Sequence, residues 1–162
     1  GHLVLSSLHT NDSISTIPRL IDMDVEPFLV ASTLNIVIAQ RLARKLCEKC
    51  KKQYTIDQEE LTRINKIRQD IAMHFKVGDV VYQEAGCETC GDSGFQGRFG
   101  LFEILEITEK IRRMISEREN IDDVFKIARE NGMKLIVEDG VNAVKTGVTS
   151  LEEIMRVTAL KQ

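Results

Sequence analysis

Two pairs of cysteines constrain what this chain can fold into more than any other feature. Both pairs have the form Cys-x-x-Cys, and a long spacer separates them. Two such hooks can bring four thiolates together around one tetrahedral ion, as a structural zinc site requires. The predicted ligands are Cys47, Cys50, Cys87 and Cys90. Because four cysteines fill the tetrahedral shell, the predicted zinc ion is structural and has no position open for water.

The cysteine spacing also admits other uses. Iron in the same thiolate cage is one alternative, and redox-active or incidental cysteines are another. Disulfides are disfavoured, because the chain shows no signal peptide and paired Cys-x-x-Cys hooks are typical of metal ligands in a reducing cytosol. His74 is predicted to be an ordinary surface histidine, because the shell is complete without it.

The composition is that of a soluble globular protein with an aliphatic core. Hydrophobic residues make up 43% of the chain and charged residues 29%, whereas aromatic residues make up only 5%. The net charge of −3 argues against a nucleic-acid partner, and no apolar run is long enough for a transmembrane segment. A basic cluster near the first hook is predicted to be either a solvated surface that offsets thiolate charge or a contact patch. Its members are Arg41, Arg44, Lys45, Lys49, Lys51 and Lys52.

The chain begins with an apolar run, residues 1–8, that lacks polar alternation. Such a run predicts a strand buried on both faces, as in a parallel α/β sheet. His9 would then lie at the carboxyl edge of the sheet, where α/β proteins bind ligands, and His2 would lie at the opposite end. A buried strand at the first residue also leads us to expect that the chain is a fragment of a longer protein.

The middle of the chain is predicted to combine helices with a pair of strands. A largely buried helix is expected over 28–46, and an amphipathic helix over 57–75 that opens with a capping box of Asp57 and Glu60. Strands are expected over 79–85 and 98–104, paired antiparallel with the second hook between them.

From Thr108 onward the sequence predicts only helices. Thr108 and Asn120 are candidate N-caps of the first two helices. A third helix is expected over 134–146. Ser150 and Glu153 form a second candidate capping box, which opens a last short helix.

Several short motifs, taken together and in order, resemble one protein family. They are Gly1-His2-Leu3-Val4-Leu5-Ser6-Ser7-Leu8-His9-Thr10-Asn11, Glu26-Pro27-Phe28, Ala39-Gln40-Arg41-Leu42, the two cysteine hooks, Gly97-Arg98-Phe99-Gly100 and Thr149-Ser150-Leu151-Glu152-Glu153-Ile154. In this combination the chain resembles the C-terminal part of the ATPases of type II secretion and of type IV pilus extension. The tetracysteine module favours these branches over the pilus retraction ATPases, which lack it.

The resemblance implies a fold and a set of partners. Residues 1–11 would be the histidine box that follows the Walker B strand of a RecA-like P-loop core, with His9 sensing the γ-phosphate side of ATP and His2 in the same box. The phosphate loop, the aspartate box and the Walker B acid would precede residue 1. The longer parent would use ATP and Mg²⁺, form a homo-hexamer and work in the cytoplasm against an inner-membrane platform protein.

These inferences combine into one prediction. The fold class is α/β: the end of a RecA-like core over 1–46, a tetracysteine zinc module over 47–104, and a C-terminal helical bundle over 105–162. We expect no catalytic residues in the chain and no hydrolysis by it alone, because it contains no phosphate-loop motif. The alternative function is a stand-alone zinc-ribbon module that binds nucleic acid or an acidic protein, or docks on the membrane platform protein through the basic cluster.

Overall fold

The computed structural model describes residues 2–159. It is a mixed α/β structure with two separate two-stranded sheets. The elements in chain order are α1 (Thr16–Asp22), α2 (Pro27–Thr33), β1 (Ile36–Leu46), β2 (Lys52–Thr55), α3 (Gln58–Ile67), α4 (Gln69–Ala72), β3 (Val80–Gln83), a 3-10 helix (Glu88–Cys90), β4 (Phe95–Glu106), α5 (Glu109–Ser116), α6 (Ile121–Glu130), α7 (Ile136–Lys145) and α8 (Leu151–Val157).

The described chain forms two compact units, and the division falls inside β1 and β4. The first unit contains residues 2–39 and 103–134, and its helix α2 packs against α5. The Arg112 guanidinium of α5 donates to the carbonyl oxygen of Leu34 at 2.9 Å and to Asn35 Oδ1 at 2.7 Å. These bonds satisfy polar groups at the C-terminal end of α2, where no helical partner is available.

The second unit contains residues 40–102 and 135–159 and includes all four cysteines. Strands β2 and β3 pair antiparallel, from Lys52 opposite Gln83 to Thr55 opposite Val80. A single aliphatic cluster forms the core of this unit, as the scarcity of aromatic residues predicts. Its fully buried side chains include Ile56, Ile64, Ile71, Val81, Leu101, Leu151 and Ile154.

The predicted buried strand at the start of the chain is not formed over residues 2–10, and Gly1 lies outside the described residues. Leu3, Val4 and Leu5 have 83%, 78% and 89% of their surface exposed. A strand needs a hydrogen-bonded neighbour, and neither of the two sheets among residues 2–159 includes this segment. Its apolar composition alone therefore did not determine its structure.

The predicted helix over 28–46 is also wrong. A short helix, α2, ends at Thr33, and the strand β1 follows it. Ile36, Val37 and Ile38 are β-branched side chains, which favour extended backbone, and β4 supplies the hydrogen-bonding partner. The apolar residues of this stretch fit a helical pattern and a strand equally well, and the distant partner strand decides between them.

The strand expected over 79–85 is present as β3, but it does not pair with the strand expected over 98–104. β3 pairs with β2, and β4 pairs with β1. The strand expected over 98–104 is confirmed within β4, which is longer at both ends. A Cβ atom at Gly100 would meet the Phe102 ring at 2.6 Å, so a larger residue there would displace this exposed side chain.

The helix predicted over 57–75 is divided into α3 and α4. Arg68 interrupts it with φ −144° and ψ 78°, and its guanidinium donates to Asp70 and to Thr158 Oγ1. The N-cap at Asp57 is confirmed, since its side chain accepts from the Glu60 N–H at 2.8 Å. The Glu60 carboxylate pairs with Arg63 at 2.9 Å and does not complete the predicted capping box.

The four predicted C-terminal helices are present as α5 to α8. The side chains of Asn120 and Ser150 cap α6 and α8 as predicted, whereas Thr108 makes no side-chain bond to the start of α5. Helices α5 and α6 belong to the first unit, and α7 and α8 to the second. The division into domains 1–46, 47–104 and 105–162 stays a prediction. Of the helices described here, none has the length and apolarity that crossing a bilayer requires.

Candidate metal centre

The four cysteine sulfurs lie close enough to share one metal ion. All four Sγ atoms are within 4.8 Å of one another. The Sγ–Sγ distance is 3.9 Å for Cys47 and Cys87, 3.8 Å for Cys50 and Cys90, and 3.7 Å for Cys87 and Cys90. Sulfurs at about 2.3 Å from a tetrahedral zinc ion are about 3.8 Å apart. The donor set and its spacing therefore fit Zn²⁺.

The first cysteine pair is shaped by a tight turn directly after β1. The Cys47 carbonyl oxygen accepts hydrogen bonds from the N–H groups of Cys50 at 3.2 Å and Lys51 at 2.9 Å. This turn brings Cys50 back towards Cys47, which is fully buried. The Cys47 N–H donates to the Gly94 carbonyl oxygen at 2.9 Å and so ties the first pair to the chain that follows the second.

The second cysteine pair is formed by the 3-10 helix Glu88–Cys90 and the turn after it. The Cys90 sulfur accepts from the N–H groups of Cys87 and Gly94, each at 3.2 Å. Gly91 has φ 58°, in the left-handed region that glycine occupies without a side-chain clash. Backbone N–H groups thus point at the sulfur, an arrangement that stabilises a thiolate.

Two thiols of the cluster have pKa values shifted in opposite directions. Burial raises the pKa of Cys50 to about 12. Burial also acts to raise the pKa of Cys90, but hydrogen bonds from the Cys87 and Gly94 N–H groups lower it to about 6. The Cys90 thiol therefore ionises more readily than the Cys50 thiol, because backbone N–H groups stabilise its thiolate. A divalent cation would balance the charge and allow further thiols to ionise.

One buried carboxylate forms ion pairs with two partly exposed arginines close to the first cysteine pair. The Glu153 carboxylate, fully buried, pairs with the guanidinium groups of Arg44 at 2.7 Å and Arg156 at 2.6 Å. Burial acts to raise the pKa of Glu153, but the hydrogen bonds from Arg156 and Arg44 hold it near 2. Sequence reasoning assigned Glu153 to a capping box and missed this role. Nothing in the local pattern reveals it, because Arg44 and Glu153 are 109 residues apart.

The three histidines, all among the described residues, lie outside the metal cluster. His2 and His9 are exposed and lie in the first unit, whereas the cysteines lie in the second. His74 is half-buried, lines a groove beside Phe75, and is not among the four grouped ligands. That the four cysteines suffice without His74 stays a prediction.

Two members of the basic cluster have partners inside the second unit. The Arg44 guanidinium lies 3.9 Å from the centre of the Phe95 ring, in addition to its ion pair. The Lys51 ammonium pairs with Glu48 at 2.8 Å and donates to the Gly147 carbonyl oxygen at 3.0 Å. Lys45, Lys49 and Lys52 are exposed. The predicted basic patch is therefore smaller than the sequence indicates.

Comparison with known proteins identifies a matching family over nearly the whole chain. Residues 1–156 match the family described as type II/IV secretion system protein. The chain is 39% identical over 158 residues to the type IV pilus assembly ATPase PilB of Thermus thermophilus, which covers 98% of this chain and 17% of that protein.

Relatives from type II secretion match equally well. Type II secretion system protein E of Dickeya dadantii is 41% identical over 160 residues, covering 98% of this chain and 30% of that protein. Type II secretion system ATPase E of Vibrio cholerae is 37% identical over 158 residues, with the same coverage. The chain thus spans less than a third of the length of these relatives.

Proposed function

The chain belongs to the family of type II/IV secretion system proteins, and on that premise we propose that it is the C-terminal portion of a hexameric cytoplasmic ATPase. The longer protein would power type II secretion or type IV pilus assembly. The observation that supports this proposal is the match of residues 1–156, together with curated relatives named for both machines. The proposal covers both machines, because their proteins have similar identity to this chain.

In this proposal the chain contributes a scaffold and a sensor, and the longer protein contributes hydrolysis. The chain has no phosphate-loop sequence, so binding of ATP and Mg²⁺ is assigned to the longer protein. His9, with His2 in the same segment, is proposed to sense bound nucleotide once a RecA-like core surrounds it. The ring would work against an inner-membrane platform protein, which would hold it at the membrane.

The four cysteines are proposed to hold a structural Zn²⁺ ion. When bound, the ion supplies a cross-link between two chain segments and charge balance for the thiolates. The support is geometric: sulfurs 3.7–3.9 Å apart at three measured pairs, with backbone N–H groups directed at Cys90. Because all four donors come from the protein, the ion leaves no position for a substrate.

The experiment that tests this function uses the longer protein that contains this chain. It should form oligomers with one zinc ion per chain and hydrolyse ATP. His9→Ala is expected to lower kcat by about 100-fold, the cost typical of losing one group that stabilises the transition state. His74→Ala is the matched control and should leave turnover unchanged. Normal turnover in His9→Ala would refute the sensing role, and absence of ATP hydrolysis in the longer protein would refute the motor function.

The stand-alone zinc-ribbon alternative is less well supported. Family membership favours the ATPase proposal. Arg44 and Lys51 have partners within their own unit, which leaves fewer cations free to contact nucleic acid. If the alternative were correct, the chain would bind single- or double-stranded nucleic acid with affinity that falls steeply as salt rises. Absence of binding at low salt would exclude a nucleic-acid partner.

A further inference from the structure

The last residues of β1 are fastened to the segment that opens α8. The Arg44 N–H donates to Glu153 Oε1 at 2.9 Å, and the Arg44 carbonyl oxygen accepts from Thr149 Oγ1 at 2.8 Å. The Leu46 N–H donates to the Val148 carbonyl oxygen at 2.9 Å. The N–H and the carbonyl oxygen of Arg44, three residues before Cys47, are thus both hydrogen-bonded to this segment.

The Arg44 side chain reaches the other half of the metal centre. The guanidinium covers the Phe95 ring at 3.9 Å. Phe95 follows Gly94, whose carbonyl oxygen accepts from the Cys47 N–H and whose N–H donates to the Cys90 sulfur. Arg44 lies three residues before the first cysteine pair, and its side chain contacts Phe95 just after the second pair. The direction of the Arg44 side chain therefore affects the position of both pairs.

One carboxylate fixes the direction of that side chain. Glu153 accepts from the Arg44 N–H through Oε1 and from Arg44 Nε and Nη2 through Oε2, at 2.9, 3.0 and 2.7 Å. Its own position is set by Arg156. A forked guanidinium bound in this way has a single orientation, unlike a side chain held by one contact.

We propose that Glu153 is a positioning residue of the metal centre: it orients Arg44 and the end of β1, and thereby sets how Cys47 meets the other three sulfurs. The inference rests on the proposed metal function and extends it to a residue that touches no ligand sulfur. Residues that orient metal ligands without binding the metal themselves typically change metal affinity by about 10–100-fold when altered.

The test is a cobalt titration of the full chain and of Glu153→Gln. Co²⁺ is the probe because its thiolate charge-transfer and ligand-field absorption report on tetrahedral sulfur geometry as well as on binding. Glu153→Gln is expected to weaken Co²⁺ binding by about tenfold and to change the spectrum of the bound ion. Glu152→Gln is the matched control, because it removes the same charge one residue away from an exposed carboxylate paired with Arg63. It should bind Co²⁺ as the unaltered chain does.

Two further variants separate positioning from general stability. Arg44→Lys keeps the positive charge but removes the fork, whereas Arg156→Gln removes the other partner of Glu153, which the described contacts do not link to Cys47. Positioning predicts weaker Co²⁺ binding in Arg44→Lys than in Arg156→Gln. Arg44→Lys also provides the test if Glu153→Gln does not fold.

The outcomes are distinguishable. If the unaltered chain binds neither Zn²⁺ nor Co²⁺ at one ion per chain, both the metal function and the positioning role are overturned. If it binds Co²⁺ and the Glu153→Gln and Arg44→Lys variants bind it equally well, only the positioning role is overturned. Equal weakening in Arg44→Lys and Arg156→Gln would likewise overturn it, because the network would then only stabilise the fold.

Discussion

The cysteine centre and the apolar segment 3–8 have opposite surroundings in the structure. Cys47 is fully buried and hydrogen-bonded to Cys50, Lys51 and Gly94, whereas Leu5 has 89% of its surface exposed. The difference lies in what each sequence pattern requires. A Cys-x-x-Cys pair contains both its metal ligands and the turn that brings them together. An apolar strand depends on a neighbouring strand for its hydrogen bonds.

The largest effect is expected from Cys87→Ser. A structural zinc ion contributes on the order of 10 kcal/mol to the folding of zinc-finger peptides, so loss of one ligand should release the ion and unfold segment 47–104. Metal analysis and hydrogen exchange of that segment measure the result, and chelation of the unaltered chain should reproduce it. His74→Ala serves as the control and should retain one zinc ion per chain. An unaltered zinc content in Cys87→Ser would contradict the prediction.

A smaller effect is expected from Ser13→Ala, at the first fully buried side chain after the exposed segment. The Ser13 N–H and Oγ–H donate to Glu103 Oε1 at 2.9 and 2.7 Å. Loss of the hydroxyl removes one donor from a buried carboxylate and should lower the free energy of unfolding by about 1–3 kcal/mol. Denaturant unfolding measures this change. Ser32→Ala, at an exposed position, should change it by less than about 0.5 kcal/mol.

The pKa of Tyr54 in β2 should report whether the segment between the cysteine pairs is folded. Burial raises the pKa of Tyr54 to about 12, above the value of about 10 for an exposed tyrosine. Its contribution to stability is therefore complete below pH ~10 and is lost as the pH rises towards 12. Ultraviolet titration should show a high-pKa ionisation that is absent in Tyr54→Phe. After chelation, the pKa of Tyr54 should fall towards 10, and an unchanged value would show that segment 47–104 stays folded without metal.

The smallest effect is expected from Leu5→Ser. Because Leu5 is almost fully exposed, the substitution should change the free energy of unfolding of this chain by less than about 0.5 kcal/mol. Ile64→Ala, at a buried position of the core, should cost about 2–5 kcal/mol by the same measurement. A large decrease in the free energy of unfolding of Leu5→Ser would show that segment 3–8 is packed in solution. The contrast with the cysteine centre would then not hold.

Sequence reasoning succeeded where chemistry is local. The turn of each Cys-x-x-Cys pair, the caps at Asp57, Asn120 and Ser150, and the four C-terminal helices all depend on residues a few positions apart. It failed over 28–46, where an apolar stretch that resembles a buried helix becomes the strand β1 by pairing with the distant β4. It also missed the polar strand β2, whose four residues acquire strand structure from β3.

The network around Glu153 could not be predicted for a related reason. Glu153 stands three residues after Ser150, the spacing of a capping box, and the helix start is capped by Ser150 as expected. The carboxylate instead binds guanidinium groups, one of them 109 residues earlier in the chain. The capping-box rule predicts the helix start correctly. It cannot predict whether the Glu153 carboxylate accepts from a nearby backbone N–H or from a distant arginine.

The contact between Arg44 and Glu153 also determines how early the metal centre can be completed while the chain is being synthesised. At about 5–20 residues per second, the ribosome needs roughly 5–20 s to add the 109 residues that separate the two partners. All four cysteines have left the peptidyl-transferase centre well before Glu153 is made. A nascent chain can therefore capture a metal ion with its cysteines early, but the buried end of β1 closes only when the segment that opens α8 emerges.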